Sequence, residues 1–420
     1  MYRSFTYCSS QPDDLKIIHV AGTKGKGSTC AFCASILKAH GLKTGFFSSP
    51  HMISVRERIR IDGVPLSEAA FSHYFQQTWL NLQEAVKRDN LYPMPPYFRF
   101  LTLMALQVFI QEKVEAVVLE VGIGGRYDAT NVVTRPVVTG ISVLGYDHMA
   151  LLGNTLREIA GQKAGIFKAG VPAFTSPQVP EAAEQLTVSA RECEGVQLSV
   201  VPPLNASIPL GLQGDFQRIN AALAVALCGS FLGISPLTSA LTPPFRHGLQ
   251  HTTWPGRAQT IAAPTDGINY FLDGAHTAES LKVALDWFQS HSHRESWLVF
   301  NCHAGRSVEM MLDVLADGHW DKVIFTTFVT GSDAPINPFS GSTNVANLQL
   351  QQRQQACWKK TASTIVPSIP ETIETLKRLA KEENANADVN TQTPLPVSVF
   401  VVGSLYLVGG FLECLHENVR

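Results

Sequence analysis

Two α/β domains are the fold class that this sequence predicts: a P-loop domain built on a parallel sheet, then a second, smaller Rossmann-like domain. Short apolar runs alternate with helical patterns along both halves of the chain, which is typical of parallel sheets covered by helices. A glycine-rich loop follows the first apolar run, and residues 243–255, which contain three prolines, interrupt the alternation. We therefore predict domains at residues 1–248 and 254–420.

The individual elements follow from the period of the apolar residues. In the first half, buried strands are predicted at residues 16–20, 46–47, 116–121, 137–143 and 171–174. Helices are predicted at 30–37, 156–167 and 216–231, and Thr155 and Glu158 form a capping-box pattern before the second of them. In the second half, strands are predicted at 268–272, 297–300, 323–327 and 397–402, with helices at 278–288, 308–315 and 371–379. The polar stretches 331–364 and 381–396 are predicted to be surface insertions.

Composition and charge exclude several classes of protein. Hydrophobic residues make up 45% of the 420 residues and charged residues 16%, so the chain can bury a large core and is not globally disordered. A formal net charge of −2 gives no basic excess for a nucleic-acid backbone. No apolar run reaches the ~20 residues of a membrane span, and residues 1–11 lack the apolar core of a secretory signal.

Eight mostly isolated cysteines do not form a disulfide framework and fit a reducing compartment. Cys30 and Cys33 have the spacing of one helix face, and we interpret them as small buried residues. A redox or metal-binding pair is the alternative. No second pair is present to complete a zinc site.

The strongest motif is the glycine-rich loop that follows the first predicted strand and opens a helix. Its candidate phosphate-binding residues are Gly22, Thr23, Lys24, Gly25, Lys26, Gly27, Ser28 and Thr29. In this context backbone N–H groups and the helix N-terminus bind a phosphate, while Lys26 neutralises its charge. The alternative, a flexible glycine turn, is disfavoured by the strand before the loop and the helix after it.

Charged residues follow other strands at the edge where open α/β sheets bind ligands. Glu120 ends an apolar strand, and a buried carboxylate is costly unless a metal ion or a cation pairs with it. His148 follows the next strand and is either a metal ligand or a structural histidine. Lys163 lies in the helix at 156–167, and from the residues alone we expect its ammonium group to reach solvent.

Two strand ends in the second half also carry polar residues. Arg257 follows a Trp-Pro-Gly turn, and its planar guanidinium suits a phosphate. Asp273 lies in a Leu-Asp-Gly-Ala-His segment, where its carboxylate suits a ribose hydroxyl. For each of these residues taken singly, a structural role is the alternative.

Taken in order, these motifs resemble those of the folylpolyglutamate synthases, within the Mur-ligase superfamily. The matching segments span residues 15–412 and include HVAGTKGKGST, LEVGIGGRYDATN, LGYDHMALLGNTLREIAGQKAGIFKAGVP, WPGRAQ and FLDGAHTAES. Several segments are long and rare, so agreement by chance is negligible. The resemblance implies an ATP-dependent ligase that adds L-glutamate in γ-linkage to tetrahydrofolate and folylpolyglutamates through an acyl phosphate, and that serves one-carbon metabolism.

The resemblance also implies roles for individual residues. Lys26, Lys163 and His276 would be catalytic. Lys163 would be a carbamate that supports a second metal ion, so the resemblance places this side chain at the site and not, as expected above, in solvent. The Mg²⁺ ligands would be Ser49, Glu120 and His148. Beyond the phosphate loop, ATP would meet Asn220 at its adenine, Arg257 at its phosphates and Asp273 at its ribose. The substrate-binding residues would be Pro50, His51, Arg58 and Tyr97 on the folate side, and His276 and Ser404 near glutamate.

The cofactors implied are Mg²⁺, ATP as co-substrate and a monovalent cation, K⁺, and the expected form is a monomer in the cytoplasm and also in mitochondria. Phe216 and Tyr406 stand where histidine is common in the family, and neither change removes a metal or phosphate ligand.

Three alternative functions stay open. They are a dihydrofolate synthase or bifunctional enzyme, a catalytically silent nucleotide-binding homologue, and a P-loop switch protein that hydrolyses nucleotide without folate.

Overall fold

The computed structural model describes residues 14–89, 93–234, 241–263, 266–291, 295–304, 307–330, 348–385 and 396–415. The chain forms two compact units, of which the first contains residues up to Gly211 together with Asp215–Trp254. The second unit contains Leu212–Gly214 and the chain from Pro255 onward. Residues 1–11, where a secretory signal was considered, lie outside the described residues. Among the helices of the described residues, none combines the length and apolar character that a transmembrane helix needs.

The first unit is built on an eight-stranded, mainly parallel sheet. Its strands are β1 (Ile17–Ala21), β2 (Thr44–Phe47), β3 (Ile59–Ile61), β4 (Val64–Pro65), β5 (Ala116–Glu120), β6 (Val138–Ile141), β7 (Ala173–Thr175) and β8 (Leu198–Val200). Their spatial order is β4-β3-β2-β5-β1-β6-β7-β8, with antiparallel pairing at β2–β3 and β3–β4. Every residue of β1, β2, β5 and β6 is buried, because helices cover both faces of the parallel strands.

The helices of this unit follow the predicted alternation. They are α1 (Lys26–Ala39), α2 (Glu68–Asp89), α3 (Tyr97–Gln111), α4 (Met149–Leu152), α5 (Leu156–Lys163), α6 (Pro180–Glu192), α7 (Gln217–Leu232) and α8 (Pro243–Gln250). The capping box is present at α5, where Thr155 and Glu158 each accept the other's backbone N–H. Cys30 and Cys33 are fully buried on α1, which confirms their interpretation as core residues.

The strand register brings four loops to one edge of this sheet. Val20 of β1 lies beside Glu120 of β5, and Ala21 lies beside Ile141 of β6. On the other side of β5, Phe47 of β2 pairs with Leu119. The loops after β1, β2, β5 and β6 therefore leave the sheet together, at the edge where open α/β sheets bind ligands.

The second unit has a six-stranded sheet of its own. The strands are β9 (Gln259–Ala263), β10 (Ile268–Leu272), β11 (Ser296–Phe300), β12 (Lys322–Thr326), β13 (Ser363–Val366) and β14 (Val397–Val402), in the order β13-β12-β11-β14-β10-β9. Only the edge pair β9–β10 is antiparallel among the described pairs. The helices are α9 (Ala278–Gln289), α10 (Val308–Leu315), α11 (Gln349–Cys357), α12 (Ile369–Ala385) and α13 (Leu405–Leu415). Two α/β units with mainly parallel sheets confirm the predicted fold class.

Several elements differ from the sequence prediction. The strands β3, β4, β8, β9 and β13 were not predicted, because they are short or lie at sheet edges and offer little periodicity. Helix α8 runs through Gln250, past residue 248 where the first domain was predicted to end. Helix α12 extends to Ala385, into the stretch 381–396 that was predicted to be an insertion, and residues 386–395 lie outside the described residues.

The prediction that 331–364 is a surface insertion is wrong for its second part. Residues 331–347 lie outside the described residues, but Gln349–Cys357 is the helix α11. Gln351 and Gln354 of this helix are buried, and their side-chain nitrogens donate to Asn301 Oδ1 at 3.2 and 3.0 Å. The side-chain amides hydrogen-bond to one another inside the protein, which composition alone did not indicate.

Candidate active site

The phosphate loop adopts a backbone that requires glycine at two positions. Gly22 has φ +149°, and a Cβ there would lie 1.9 Å from Ser142 Oγ. Gly25 has φ +83°, and a Cβ there would lie 2.0 Å from Asn220 Oδ1. The loop is therefore a close-packed turn with a defined shape, which favours the phosphate-binding interpretation over a flexible glycine turn.

Two of the predicted phosphate-binding residues anchor the loop through their backbone. The N–H groups of Thr23 and Lys24 both donate to the carbonyl oxygen of Val143, at 3.0 and 2.9 Å. Thr23 Oγ1 also donates to the carbonyl of Gly145 at 3.1 Å. These two N–H groups therefore anchor the loop, and a contact of Thr23 or Lys24 with phosphate stays a prediction. The first turn of α1, which begins at Lys26, supplies N–H groups that have no acceptor within the helix.

Two lysine side chains converge on the same carbonyl group of the loop. Lys26 Nζ donates to the Gly22 carbonyl at 3.1 Å, and Lys163 Nζ donates to it at 2.8 Å. Lys163 is only 4% exposed, so the expectation that its ammonium group reaches solvent is wrong. Burial, followed by the positive charge of Lys26, lowers the pKa of Lys163 to about 7.

Glu120 lies beside the start of α1 and is held by the loop after β2. The backbone N–H of Ser49 donates to Glu120 Oε2 at 3.1 Å, and Glu120 is 4% exposed. Its Oε1 lies 3.6 Å from the position that a Cβ on Gly27 would occupy. The structure thus brings together Glu120 and the phosphate loop, as the strand-end argument predicted, and adds Ser49, which only the resemblance had implied.

His148 is on the loop after β6, at the same edge of the sheet. It has φ +50° at the N-terminus of α4, and its Nε2 lies 3.9 Å from Asp147 Oδ2. No group of three His, Cys, Asp or Glu residues that would hold a metal occurs among the described residues. Ser49 and Glu120 offer oxygen atoms of the kind that Mg²⁺ takes together with phosphate oxygens and water, and a Mg²⁺ site formed with His148 stays a prediction.

Polar residues of α7 support the loop from behind. Asn220 Nδ2 donates to Gln217 Oε1 at 2.9 Å, and Gln217 Nε2 lies 3.4 Å from Ser28 Oγ. Ser28, Thr29 and Asn220 are buried. The structure places Asn220 against Gly25 of the loop, and its contact with adenine stays a prediction.

The predicted folate-side residues also form a connected group. Arg58 Nε donates to His51 Nδ1 at 2.9 Å, and the Arg58 guanidinium carbon lies 5.5 Å from the centre of the Tyr97 ring. Burial, with the charge of Arg58 as the second cause, lowers the pKa of His51 to about 4. The Glu57 carboxylate accepts the backbone N–H groups of residues 52, 53 and 54, which fixes this loop. Pro50 precedes it, after a cis peptide bond from Ser49.

The second unit brings its candidate residues to the ends of β10 and β14. The Asp273 carboxylate accepts the N–H groups of Ala258 and Ala275, both at 2.8 Å. Burial raises the pKa of Asp273, while the neighbouring charge of Arg257 opposes the rise.

His276 and Ser404 lie on neighbouring segments at that edge. Gly403 N–H donates to the Ala275 carbonyl at 3.0 Å, which joins the two segments. His276 Nδ1 lies 2.8 Å from the carbonyl oxygen of Gly274. Because a carbonyl only accepts, Nδ1 carries the proton, and Nε2 of the neutral ring is the proton acceptor.

Two residues at the site were not assigned a role from the sequence. Trp254 lies at the phosphate loop, with its Nε1 3.0 Å from the position of a Cβ on Gly27. Arg60 lies over the Trp254 ring, at 5.1 Å from its centre. The Trp-Pro-Gly-Arg motif marked the region, but nothing local indicated which way the indole would point.

Comparison with known proteins decides the family. The mitochondrial folylpolyglutamate synthase of Cricetulus griseus is 36% identical over an alignment that covers 97% of this chain and 84% of its own length. The chain belongs to the folylpolyglutamate synthase family. The bovine mitochondrial folylpolyglutamate synthase is 44% identical over 74% of this chain, and that alignment spans 59% of the bovine protein. The predicted family and the predicted class, an ATP-dependent ligase, are confirmed.

A solved structure and a family model agree with this assignment. Folylpolyglutamate synthase of Mycobacterium tuberculosis, complexed with ADP and AMPPCP, has a TM-score of 0.81 over 97% of this chain and 93% of its own, at 24% identity. It shows the shared fold of the folylpolyglutamate synthase family. The family model for the C-terminal domain of dihydrofolate synthetase matches residues 259–414.

Proposed function

We propose that this protein uses ATP to join the amino group of L-glutamate to the γ-carboxylate of tetrahydrofolate or a folylpolyglutamate, releasing ADP and phosphate. The observation that carries this function is the convergence of Lys26, Lys163 and Glu120 on one phosphate loop, in a folylpolyglutamate synthase family member. Lysines and a carboxylate around such a loop suit transfer of a phosphoryl group between two anions.

The first half of the reaction activates a carboxylate. An oxygen of the γ-carboxylate attacks the terminal phosphorus of ATP, the bond from that phosphorus to ADP breaks, and an acyl phosphate forms. Both reactants are negatively charged, so the ammonium group of Lys26 and the N–H groups of the first turn of α1 would lower their repulsion. These donors are fixed before the substrate arrives, because the loop is anchored on Val143.

Ser49, Glu120 and His148 would hold Mg²⁺, which supplies charge neutralisation and alignment of the phosphates when bound. Lys163 would act as a carbamate. Its lowered pKa provides the neutral amine that reacts with CO₂. The product carries a negative charge, which would replace the repulsion between the two ammonium groups with attraction to Lys26.

Pro50, His51, Arg58 and Tyr97 would bind the folate. Tyr97 is 37% exposed, so its ring is accessible for stacking on a flat heterocycle, while Arg58 holds it in place from one side. The guanidinium of Arg58 would also attract the negative charge of the substrate carboxylates.

The second half of the reaction forms the amide, and we assign its residues to the second unit. Glutamate must lose a proton from its ammonium group before it attacks the acyl carbon, and Nε2 of His276 would accept that proton. Phosphate then leaves and the amide remains. Ser404 would bind glutamate, and Arg257 and Asp273 would bind the phosphates and ribose of ATP. Asn220 would complete the nucleotide site in the first unit.

A second candidate function is supported by one observation. The match of residues 259–414 to a dihydrofolate synthetase domain favours dihydropteroate as an additional acceptor of glutamate. The chemistry is the same, because a carboxylate is again activated by phosphorylation.

We further propose a monomer that requires K⁺ in addition to Mg²⁺ and that acts in the cytoplasm and in mitochondria. The mitochondrial names of the hamster and bovine relatives support the second location. Gel filtration and assays with Na⁺ in place of K⁺ test the first two statements, and cell fractionation tests the third.

The deciding experiment is incorporation of labelled glutamate with MgATP, K⁺ and either tetrahydrofolate or dihydropteroate. We expect incorporation with tetrahydrofolate and its loss in Lys26→Ala. Product from dihydropteroate as well would establish the bifunctional enzyme. Nucleotide binding without incorporation would identify a silent homologue, and hydrolysis independent of folate would identify a switch protein. Equal activity of Lys26→Ala and wild type would overturn the phosphate-loop assignment.

A further inference from the structure

The orientation of Trp254 is fixed by contacts on its ring faces. The ring packs on Phe46 of β2, with centroids 5.2 Å apart and planes at 33°. The Arg60 guanidinium carbon lies 5.1 Å from the centre of the same ring. Arg60 is itself held, because its Nε donates to the carbonyl of Glu57 at 3.1 Å. A cation over an aromatic face is attractive, so these contacts hold the plane of the indole.

The N–H edge of the indole faces the phosphate loop. A Cβ on Gly27 would lie 3.0 Å from Trp254 Nε1 and 3.5 Å from Cε2, so the nitrogen is the part of the ring nearest to the loop. Glu120 Oε1 lies 3.6 Å from the same point. No described residue accepts a hydrogen bond from this indole N–H. Trp254 is half-buried and this N–H is not enclosed by the protein, so its direction toward the loop calls for an explanation.

The position of Gly27 in the motif supplies that explanation. In the common phosphate loop the residue directly after the lysine is Ser or Thr, whose hydroxyl binds Mg²⁺ beside the terminal phosphates. Here that residue is Gly27, directly after Lys26, and the space of the missing side chain is occupied by the indole N–H. An indole N–H only donates, so it binds a phosphate oxygen and not a metal ion.

We propose that Trp254 is a phosphate-binding residue of the ligase reaction, and that its indole N–H donates to an oxygen of the terminal phosphate of ATP. This inference rests on the proposed function. It adds a neutral donor next to Glu120, which stabilises negative charge on the phosphate without forming an ion pair with the carboxylate. A Cβ on Gly27 would lie only 3.0 Å from the indole nitrogen, so a side chain at this position would require the indole to shift.

The variant Trp254→Phe tests the proposal, because phenylalanine keeps an aromatic face for Phe46 and Arg60 and removes only the donor edge. A lost hydrogen bond to a charged group predicts a decrease of roughly 10- to 100-fold in kcat/KM for ATP. The KM for glutamate should stay within about twofold, since the lost donor faces the phosphate alone. Trp79→Phe, at a half-exposed ring stacked on Phe75, is the matched control and should behave as wild type.

A second measurement uses the wild-type protein, in case Trp254→Phe does not fold. With ¹⁵N-labelled indoles, we expect one of the six tryptophan N–H resonances to move downfield on addition of MgAMPPCP and to stay in place with MgADP. Calorimetry on the same sample records nucleotide binding. Binding of AMPPCP without any indole response, or a Trp254→Phe enzyme with wild-type kcat/KM for ATP, would overturn the inference alone. Absence of nucleotide binding would instead overturn the proposed function.

Discussion

The lowered pKa of Lys163 predicts that this side chain reacts with CO₂ near neutral pH. At about pH 8 an amine with a pKa of about 7 is roughly 90% neutral, whereas an ordinary lysine is about 0.3% neutral. The fraction able to form a carbamate is therefore about 300-fold larger at Lys163 than at an exposed lysine. With ¹³C-labelled bicarbonate, we expect a carbamate resonance in the ¹³C spectrum that grows from about pH 6 to pH 8.

Two variants separate this effect from a general reaction of lysines. Lys163→Arg keeps a positive charge but cannot form a carbamate, so it should lose both the resonance and the ligase activity. Lys168→Arg is the matched control, because Lys168 is five residues further on and its Nζ donates to Asn131 Oδ1 at 2.8 Å. A spectrum without a carbamate at any pH, or one that persists in Lys163→Arg, would refute the reasoning.

Two further predictions concern the stability of the first unit. Gly22→Ala should lower the free energy of unfolding in urea by more than about 2 kcal/mol and weaken ATP binding, because its Cβ would collide with Ser142. The control Gly41→Ala, at φ +82° with open space around it, should lose only about 1 kcal/mol. Equal losses in the two variants would contradict the packing argument. Burial, and then the charge of Lys168, lowers the pKa of His19 from 6.5 to about 3. Below pH 6.5 the unfolded chain therefore binds more protons at this residue than the folded chain does. The free energy of unfolding should decrease by up to about 5 kcal/mol as the pH is lowered from 6.5 to about 3. Urea titrations at several pH values should show that His19→Gln removes this decrease.

Local signals in the sequence were enough to predict the phosphate loop and the residues that follow the strands. The glycines, the strand before them and the helix after them are neighbours in the chain, so their spacing indicates the turn directly. Glu120 was predicted at the edge of the phosphate loop because parallel strands end together. Ser49 was predicted only from the family resemblance, and its backbone N–H donates to Glu120. The same rule placed Asp273 and His276 at a strand end of the second domain, whereas Ser404 was predicted only from the resemblance. The strands that precede these residues, β10 and β14, are parallel neighbours.

Features that depend on tertiary packing could not be predicted from the pattern of apolar and polar residues along the chain. Lys163 was expected in solvent because a lysine in a helix usually is, and only the packed loop reveals the Gly22 carbonyl that it contacts. Trp254 is distant from Gly27 in the chain, and no periodicity links them. The glutamines of α11 were predicted to lie at the surface because they are polar, and the sequence does not show that they hydrogen-bond to Asn301 in the interior.

The central claim is that ATP bound at the Lys26 loop phosphorylates a folate carboxylate before glutamate attacks it. The most direct test uses tetrahydrofolate labelled with ¹⁸O in its γ-carboxylate, with MgATP and glutamate, followed by mass analysis of the phosphate released. Attack of the carboxylate on the terminal phosphorus predicts that one ¹⁸O atom per turnover appears in that phosphate. Phosphate released without ¹⁸O, while amide product forms at its normal rate, would contradict the account.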